Sequence, residues 1–364
     1  MTKRLALHDL HESLGAAFGE RDGWQVPLHY GDAVAEHRAV RHSVGLADRS
    51  YRGKLRFGGK DRMAFLQGQI TNDIQQLTES KGLYAAFLTF KGKMVADMEL
   101  IQHGDAVLMD LEPVLTEKIR TQLSRYIFAS DVKIEDVSDA TAHFSLQGPA
   151  STDLLGKLSG EVLPPLSERG MVQRNLKGHP VTIIKTAYTG EDGYDLLLPV
   201  AHAADVWNLL MDAGRGMGFR PIGFEALEVL RIEAGIPRYG VDMDENVFPV
   251  EAGLEEKAIS YTKGCYTGQE PISRIKHLGH VNRHLIGFIL EDPTPPQKGD
   301  KVTKDGQEVG FITSGTVSPT LEKTIALGYL RREIATAGQS VTILRGEKQV
   351  SASVALLPLY KREK

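Results

Sequence analysis

The chain has 364 residues, a formal net charge of −4 and a hydrophobic fraction of 41%, an ordinary globular composition in a chain long enough for two or three domains. The mild acidity excludes the basic footprint of a nucleic-acid-binding domain, and the single cysteine excludes an intramolecular disulfide. No apolar run approaches the roughly 18 residues of a membrane span, and the opening MTKRLALHDLHESLG lacks the apolar stretch of a signal peptide. A reducing, cytoplasmic setting is expected.

In chain order, residues 33–46 have the spacing of a helix, with Ala33, Val40 and Val44 near one face. Lys54 to Phe57 alternates like a strand and stops at Gly58-Gly59. Asp61 is placed to cap a helix carrying Met63, Leu66 and Ile70. GLYAAFLTFKGKMVADMELI reads as a hairpin turning at Lys91-Gly92-Lys93, because Gly92 accepts positive φ. A second hairpin pairs Thr182–Thr186 with Tyr194–Leu198 across a connection containing Gly190 and Gly193. Two helices are expected in AADVWNLLMDAG, stopped by Gly214, and FEALEVLRIEAG, ended by Gly235. Near residue 291 the Pro-rich EDPTPP marks a boundary. Short strand-like runs separated by glycines follow it, the pattern of a small antiparallel barrel or sandwich. Strands and helices without regular βαβ alternation indicate an α+β class.

Four stretches, in order, carry a resemblance: GWQVPLHYGDAVAEHRAVRHSVGLADRS, YTGEDGYDL, LRIEAGIPRYGVDMDEN and EVGFITSGTVSPTLEKTIALGYL. Together they resemble the glycine-cleavage T-protein (aminomethyltransferase) superfamily. The resemblance implies a three-domain folate-binding fold: a discontinuous first domain at 1–52 and 142–283, an inserted α+β domain at 53–141, and a C-terminal antiparallel β-barrel at 284–364. KGCYTGQE (Lys263, Gly264, Cys265, Tyr266, Thr267, Gly268, Gln269, Glu270) with the following SRIKHLGHVNRHL resembles a sister branch, the YgfZ-type folate-binding proteins. That branch implies a role in iron–sulfur cluster assembly or repair.

The implied cofactor is tetrahydrofolate or a polyglutamylated derivative. Its pterin offers an amino group and a ring N–H that one carboxylate accepts together, and aromatic walls suit its faces. By resemblance, Asp97 matches the T-protein's catalytic aspartate, on a strand face with Val95 and Glu99. Asp195 stands where the family carries a pterin-binding glutamate. Tyr84 and Tyr188 match ring-contacting tyrosines, Arg231 matches a site arginine, and Lys361 is placed to meet the folate tail's carboxylates. Read without the resemblance, Arg231 bridges Glu228 or Glu233 on a helix surface, and the tyrosines are core aromatics.

Around Cys265, Gly264 and Gly268 permit close approach, Lys263 favours a thiolate, and Pro271 suits the first turn of a helix. Arg274, Lys276, His277, His280, Arg283 and His284 form either a solvated basic face or histidine partners for the thiol. One cysteine with scattered histidines is no closed metal site, and no metal ligand set is assigned. The main expectation is a folate-binding accessory protein acting through Cys265 on iron–sulfur clients or assembly proteins. The alternative is an aminomethyltransferase in which Asp97 activates N5 of tetrahydrofolate and the partner is a lipoyl carrier. A folate-dependent demethylase or oxidase domain is a third option. None of these involves nucleic acid or membrane.

Overall fold

The computed structural model describes residues 2–362. The chain divides into two compact units, one of Met1–Gln69, Asp73–Tyr84 and Met98–Glu228, the other of Ile70–Asn72, Ala85–Asp97 and Val229–Lys364.

The first unit is organised around a six-stranded sheet in the order Met171–Leu176, His179–Thr186, Gly193–Pro199, Thr141–Gln147, Gly45–Asp48, Arg220–Pro221. All neighbours are antiparallel except the last pair. The hairpin expected from TIIKTAYTGEDGYDLLLP is present, with Thr182 opposite Leu197 and Thr186 opposite Gly193. Its apolar face packs with the helices Ser151–Ser159 and Ala203–Ala213 into one core, where Phe144, Leu146, Leu154, Leu196, Val206 and Trp207 are fully buried. Burying a side chain of this size contributes about 1.5–3 kcal/mol. The helix expected at 33–46 spans Ala33–His42, capped by Asp32, whose carboxylate accepts from the Val34 and Ala35 N–H groups. It ends early because Gly45–Asp48 is claimed by the sheet. A Cβ at Gly45 would lie 2.5 Å from Val40 Cγ2, so only glycine lets the strand pass so close to the helix. The helix after Asp61 is Arg62–Gln69. Asp61's carboxylate accepts from the Asp131 N–H, tying down a distant loop.

A five-stranded sheet has the order Leu83–Leu88, Met94–His103, Ala106–Leu111, Gly53–Gly58, Lys133–Asp136. The expected tight turn joins its first two strands: Gly92 has φ +74°, and the Thr89 N–H donates to the Lys93 C=O to close the loop.

In the second unit the glycine-punctuated C-terminal region forms a closed antiparallel barrel of six strands, Arg283–Leu290, Lys323–Arg331, Gln307–Ser318, Lys301–Lys304, Ser340–Arg345 and Lys348–Ala355. Its interior is filled by Phe288, Val302, Ile312, Ala326, Leu330 and Ile343. Gly310 has a packing reason, since a Cβ there would lie 2.1 Å from the Tyr329 carbonyl oxygen. Among the described residues no helix is long and apolar enough to cross a membrane.

Candidate functional site

In the first unit the sequence places charged residues inside apolar strands, and the structure shows why. Asp110 lies near the end of AVLMDL, Lys54 sits in GKLRFG and His143 in TAHFSL, and all three are buried. Asp110 is 2.5 Å from Arg52 Nε and 3.3 Å from both Lys54 Nζ and His143 Nδ1. The other face of the same imidazole lies 3.3 Å from Asp195 Oδ2, and Arg49 Nη1 lies 3.5 Å from that oxygen. The result is a buried line of charged groups, from Lys54 and Arg52 through Asp110 to Asp195 and Arg49, with the His143 imidazole between the two carboxylates. Charges so placed persist only when paired.

The electrostatics follow from that line. Burial alone would raise the Asp195 carboxyl, but His143, Arg49 and a 2.6 Å hydrogen bond from the Ser145 hydroxyl hold it down at about 2. Burial likewise opposes ionisation of Asp110, and Arg52 and Lys54 hold it well below the carboxylate range. Lys54 is pulled down to about 8 by burial, which the attraction of Asp110 only partly offsets. Asp195 is the end of the line that reaches solvent, with 17% of its side chain exposed.

Beside it, the Arg49 guanidinium lies 4.4 Å from the Tyr188 ring centroid, a cation–π contact. The connection carrying Tyr188 is fixed from both sides. Arg41 donates to Thr189 C=O at 2.8 Å and to Glu191 at 3.1 Å, and the Thr189 hydroxyl donates to Gln147 at 3.0 Å. A Cβ at Gly193 would lie 2.3 Å from Gln147 Oε1, so this glycine has a packing role as well as its place in the turn. Tyr84 is buried under Arg169, whose guanidinium is 5.0 Å from the ring and grips Glu99 with contacts of 2.7 and 3.1 Å. Burial nevertheless leaves the Glu99 carboxyl above its usual range.

In the second unit Asp97 is half-buried on the strand Met94–His103. Its charge is felt by Tyr239, whose hydroxyl donates to Met94 C=O at 3.4 Å; burial first, then Glu245, Asp244 and Asp97, push that phenol above its ordinary range. Arg231 corrects the surface-bridge expectation. It has no exposed side-chain surface, pairs with Asp242 at 2.5 Å and donates to Ser314 at 2.7 Å. It therefore fixes the 236–242 loop against the barrel strand Gln307–Ser318. Lys361 is exposed.

KGCYTGQE is mostly a clamp. Lys263 is buried and its ammonium donates to Ile70 C=O at 2.7 Å and Asn72 C=O at 2.9 Å, while lying 5.0 Å from the Tyr266 ring centroid. Those two carbonyls hold its ammonium in place. Tyr266 is buried, which pushes its phenol up to about 12. Gly268 has φ +81° and starts the helix Gln269–Leu278, so Pro271 falls in the first turn as expected. A Cβ on Gly268 would lie 2.4 Å from the Thr89 carbonyl oxygen, in the turn that leads into Asp97's strand. Glu270 pairs with Arg274 at 2.9 Å on the exposed helix face, and Gln269 is half-buried. Cys265 and Gly264 are exposed. Among the described residues, the metal-capable side-chain cluster found is His179, His202 and Asp205, which does not include Cys265.

The comparisons with known proteins bear on this arrangement. The family described as the GCVT N-terminal domain matches residues 7–263, and the glycine cleavage T-protein C-terminal barrel domain matches residues 283–361. The chain belongs to the glycine cleavage T-protein family. It is similar to a protein named aminomethyltransferase from Desulforamulus reducens, 34% identical over 363 residues covering 99% of both chains. A second, from Geobacillus kaustophilus, is 35% identical over 369 residues covering 100% of both. The crystal structure of glycine cleavage system aminomethyltransferase T from Bartonella henselae superposes with a TM-score of 0.89 at 23% identity, over 99% of each chain. That likeness carries the fold: the three-domain T-protein architecture with its closed C-terminal barrel. These relatives favour the alternative aminomethyltransferase expectation and give the iron–sulfur branch no support. Sequence reasoning missed Arg49, Arg52, Lys54, Asp110, His143 and Arg169; for Lys54, Asp110 and His143 the available signal was a polar or charged residue inside an apolar strand, while Arg49, Arg52 and Arg169 lie in connections and gave none.

Proposed function

We propose that the chain is a tetrahydrofolate-dependent aminomethyltransferase acting on an aminomethyl-lipoyl carrier protein. The observation that carries this reading is the end-to-end similarity to proteins of that name, about a third identical over 99% of both chains. In the reaction, N5 and N10 of tetrahydrofolate form bonds to the methylene carbon, and the C–N and C–S bonds of the aminomethyl group break. The two protons released from N5 and N10 end on ammonia and the lipoyl thiol, and methylene-tetrahydrofolate is the product.

The first unit's residues fit the pterin. Asp195 is ionised and partly exposed, and Arg49 lies both beside it and over the Tyr188 ring, so Asp195 suits the donor edge of amino group and ring N–H, with Tyr188 assigned to a ring face. Its oxygens already receive Ser145 and face Arg49 and His143. The line of charge behind it thus holds the acceptor ready and ionised, which limits reorganisation when a donor arrives. Tyr84, stacked under Arg169, is assigned a positioning role.

Asp97 is assigned to N5, orienting it by hydrogen bonding and receiving its proton. Arg231 and the KGCYTGQE residues Lys263, Tyr266 and Gly268 are positioning residues: the first anchors the 236–242 loop, Lys263 holds the Ile70 and Asn72 carbonyls beside the Tyr266 ring, and Gly268 packs against the turn before Asp97's strand. Lys361 is assigned to the folate tail's carboxylates. The domain limits given above, 1–52 with 142–283, 53–141 and 284–364, belong to this proposal. The iron–sulfur reading retains the exposed Cys265 alone. Incubating the purified chain with tetrahydrofolate and aminomethyl-lipoyl carrier tests the choice: methylene-tetrahydrofolate forms under this proposal, and its absence with an authentic carrier sinks it.

A further inference from the structure

The first unit holds a second constellation that folate chemistry does not use. The strands Met171–Leu176 and His179–Thr186 are joined by a tight turn in which Lys177 has φ +53° and Gly178 φ +105°, and the Gly178 N–H is held by the Asn175 side chain. This turn delivers His179 at the end of its strand. His202 immediately precedes the helix Ala203–Ala213, and Asp205 lies in that helix's first turn, so the i, i+3 spacing puts both on one side.

The three side chains converge. Nδ1 of His179 is 3.1 Å from Nδ1 of His202, and the rings are 5.0 Å apart at 65°, edge towards face rather than stacked. Asp205 stands beside the same ring, its Oδ2 4.0 Å from Nε2 of His179, the ring nitrogen that does not face His202. One donor atom from each residue lies within 4.8 Å of those of the others. A tetrahedral ion with ligands at about 2.0–2.1 Å separates them by about 3.3–3.4 Å, so the nitrogen spacing suits two imidazoles on one ion. Two imidazoles and a carboxylate are the donor set of a borderline-soft divalent ion, with a fourth position left for water. His202 stands at the helix start yet its side chain makes no capping hydrogen bond there; it turns to His179 instead.

We propose that His179, His202 and Asp205 bind a zinc-class divalent cation, which cross-links the hairpin turn to the start of the helix. The site is separate from the folate residues: in the register, His179 precedes Ile184, the partner of Asp195, by five positions, roughly 17 Å along the strand. The proposal is therefore independent of the catalytic reading.

The probe is Zn²⁺ itself, titrated into the full-length chain after treatment with chelator, against a chromophoric indicator. One equivalent binds, and His179→Gln and His202→Gln each weaken binding at least about tenfold. Asp205→Asn also weakens it; its side chain is 66% exposed, so this variant keeps the fold and keeps the test decisive should a histidine variant unfold. Melting temperatures measured without zinc report that directly. Co²⁺ in place of Zn²⁺ gives the intense visible absorption of four-coordination, lost in the variants, whereas Cys265→Ser leaves both signals unchanged. The proposal is overturned if no stoichiometric binding occurs at micromolar zinc, or if all three ligand variants bind as the wild type does.

Discussion

Gly268→Ala separates a structural KGCYTGQE from a chemical one. At φ +81° an alanine pays the left-handed penalty, about 1–2 kcal/mol. Its Cβ would also meet the Thr89 carbonyl oxygen at 2.4 Å and Leu88 Cβ at 2.9 Å. Backbone cannot rotate away as a side-chain tip can, so the helix start or the 89–93 turn must shift by about half an ångström, an overpacking cost of about 1–3 kcal/mol. The combined loss is about 2–5 kcal/mol, which at about 1.3 °C per kcal/mol for a chain of this length lowers Tm by at least about 2.5 °C. Because the turn leads into the strand carrying Asp97, aminomethyl transfer falls as well. Cys265→Ala touches an exposed position and stays within about 0.5 kcal/mol of wild type. Differential scanning calorimetry of the two variants beside wild type is the assay. A Gly268→Ala protein that melts within a degree of wild type with full activity refutes the clamp.

Two further outcomes follow from the buried charges. Asp195's carboxyl is depressed from its ordinary 3.8 to about 2, so its contribution is complete above about pH 5 and lost as pH falls towards 2, about 2 kcal/mol in all. Urea unfolding at stepped pH shows this loss in the wild type, and Asp195→Asn removes that part of the pH dependence. Arg231→Met leaves Asp242 buried without its guanidinium partner and costs about 3–5 kcal/mol. Chemical denaturation checks it, and a loss below about 1 kcal/mol contradicts the anchoring role.

How far the sequence revealed the fold depended on how local the cause was. Gly92's turn, the Thr182–Leu198 hairpin and the glycine-spaced barrel strands rest on near-neighbour geometry, and they were readable. The helix at 33–46 was overextended because its end is set by the packing of Gly45 against Val40 and Ile222, which periodicity does not encode. Arg231 looked like a surface residue beside Glu228 and Glu233; its partner Asp242 comes from the following loop and Ser314 from the barrel. The line from Lys54 to Asp195 joins four strands, and each member looked like an isolated polar residue until they were paired. KGCYTGQE drew attention through its cysteine, yet Lys263, Tyr266 and Gly268 are the members with structural partners.

Ammonia release from aminomethyl-lipoyl carrier by the purified chain is the most direct measurement of the central claim. It should require both carrier and tetrahydrofolate, survive Cys265→Ala unchanged, and fall at least about 100-fold in Asp97→Asn with little change in Tm. No ammonia from the wild type, or full activity in Asp97→Asn, would contradict the account.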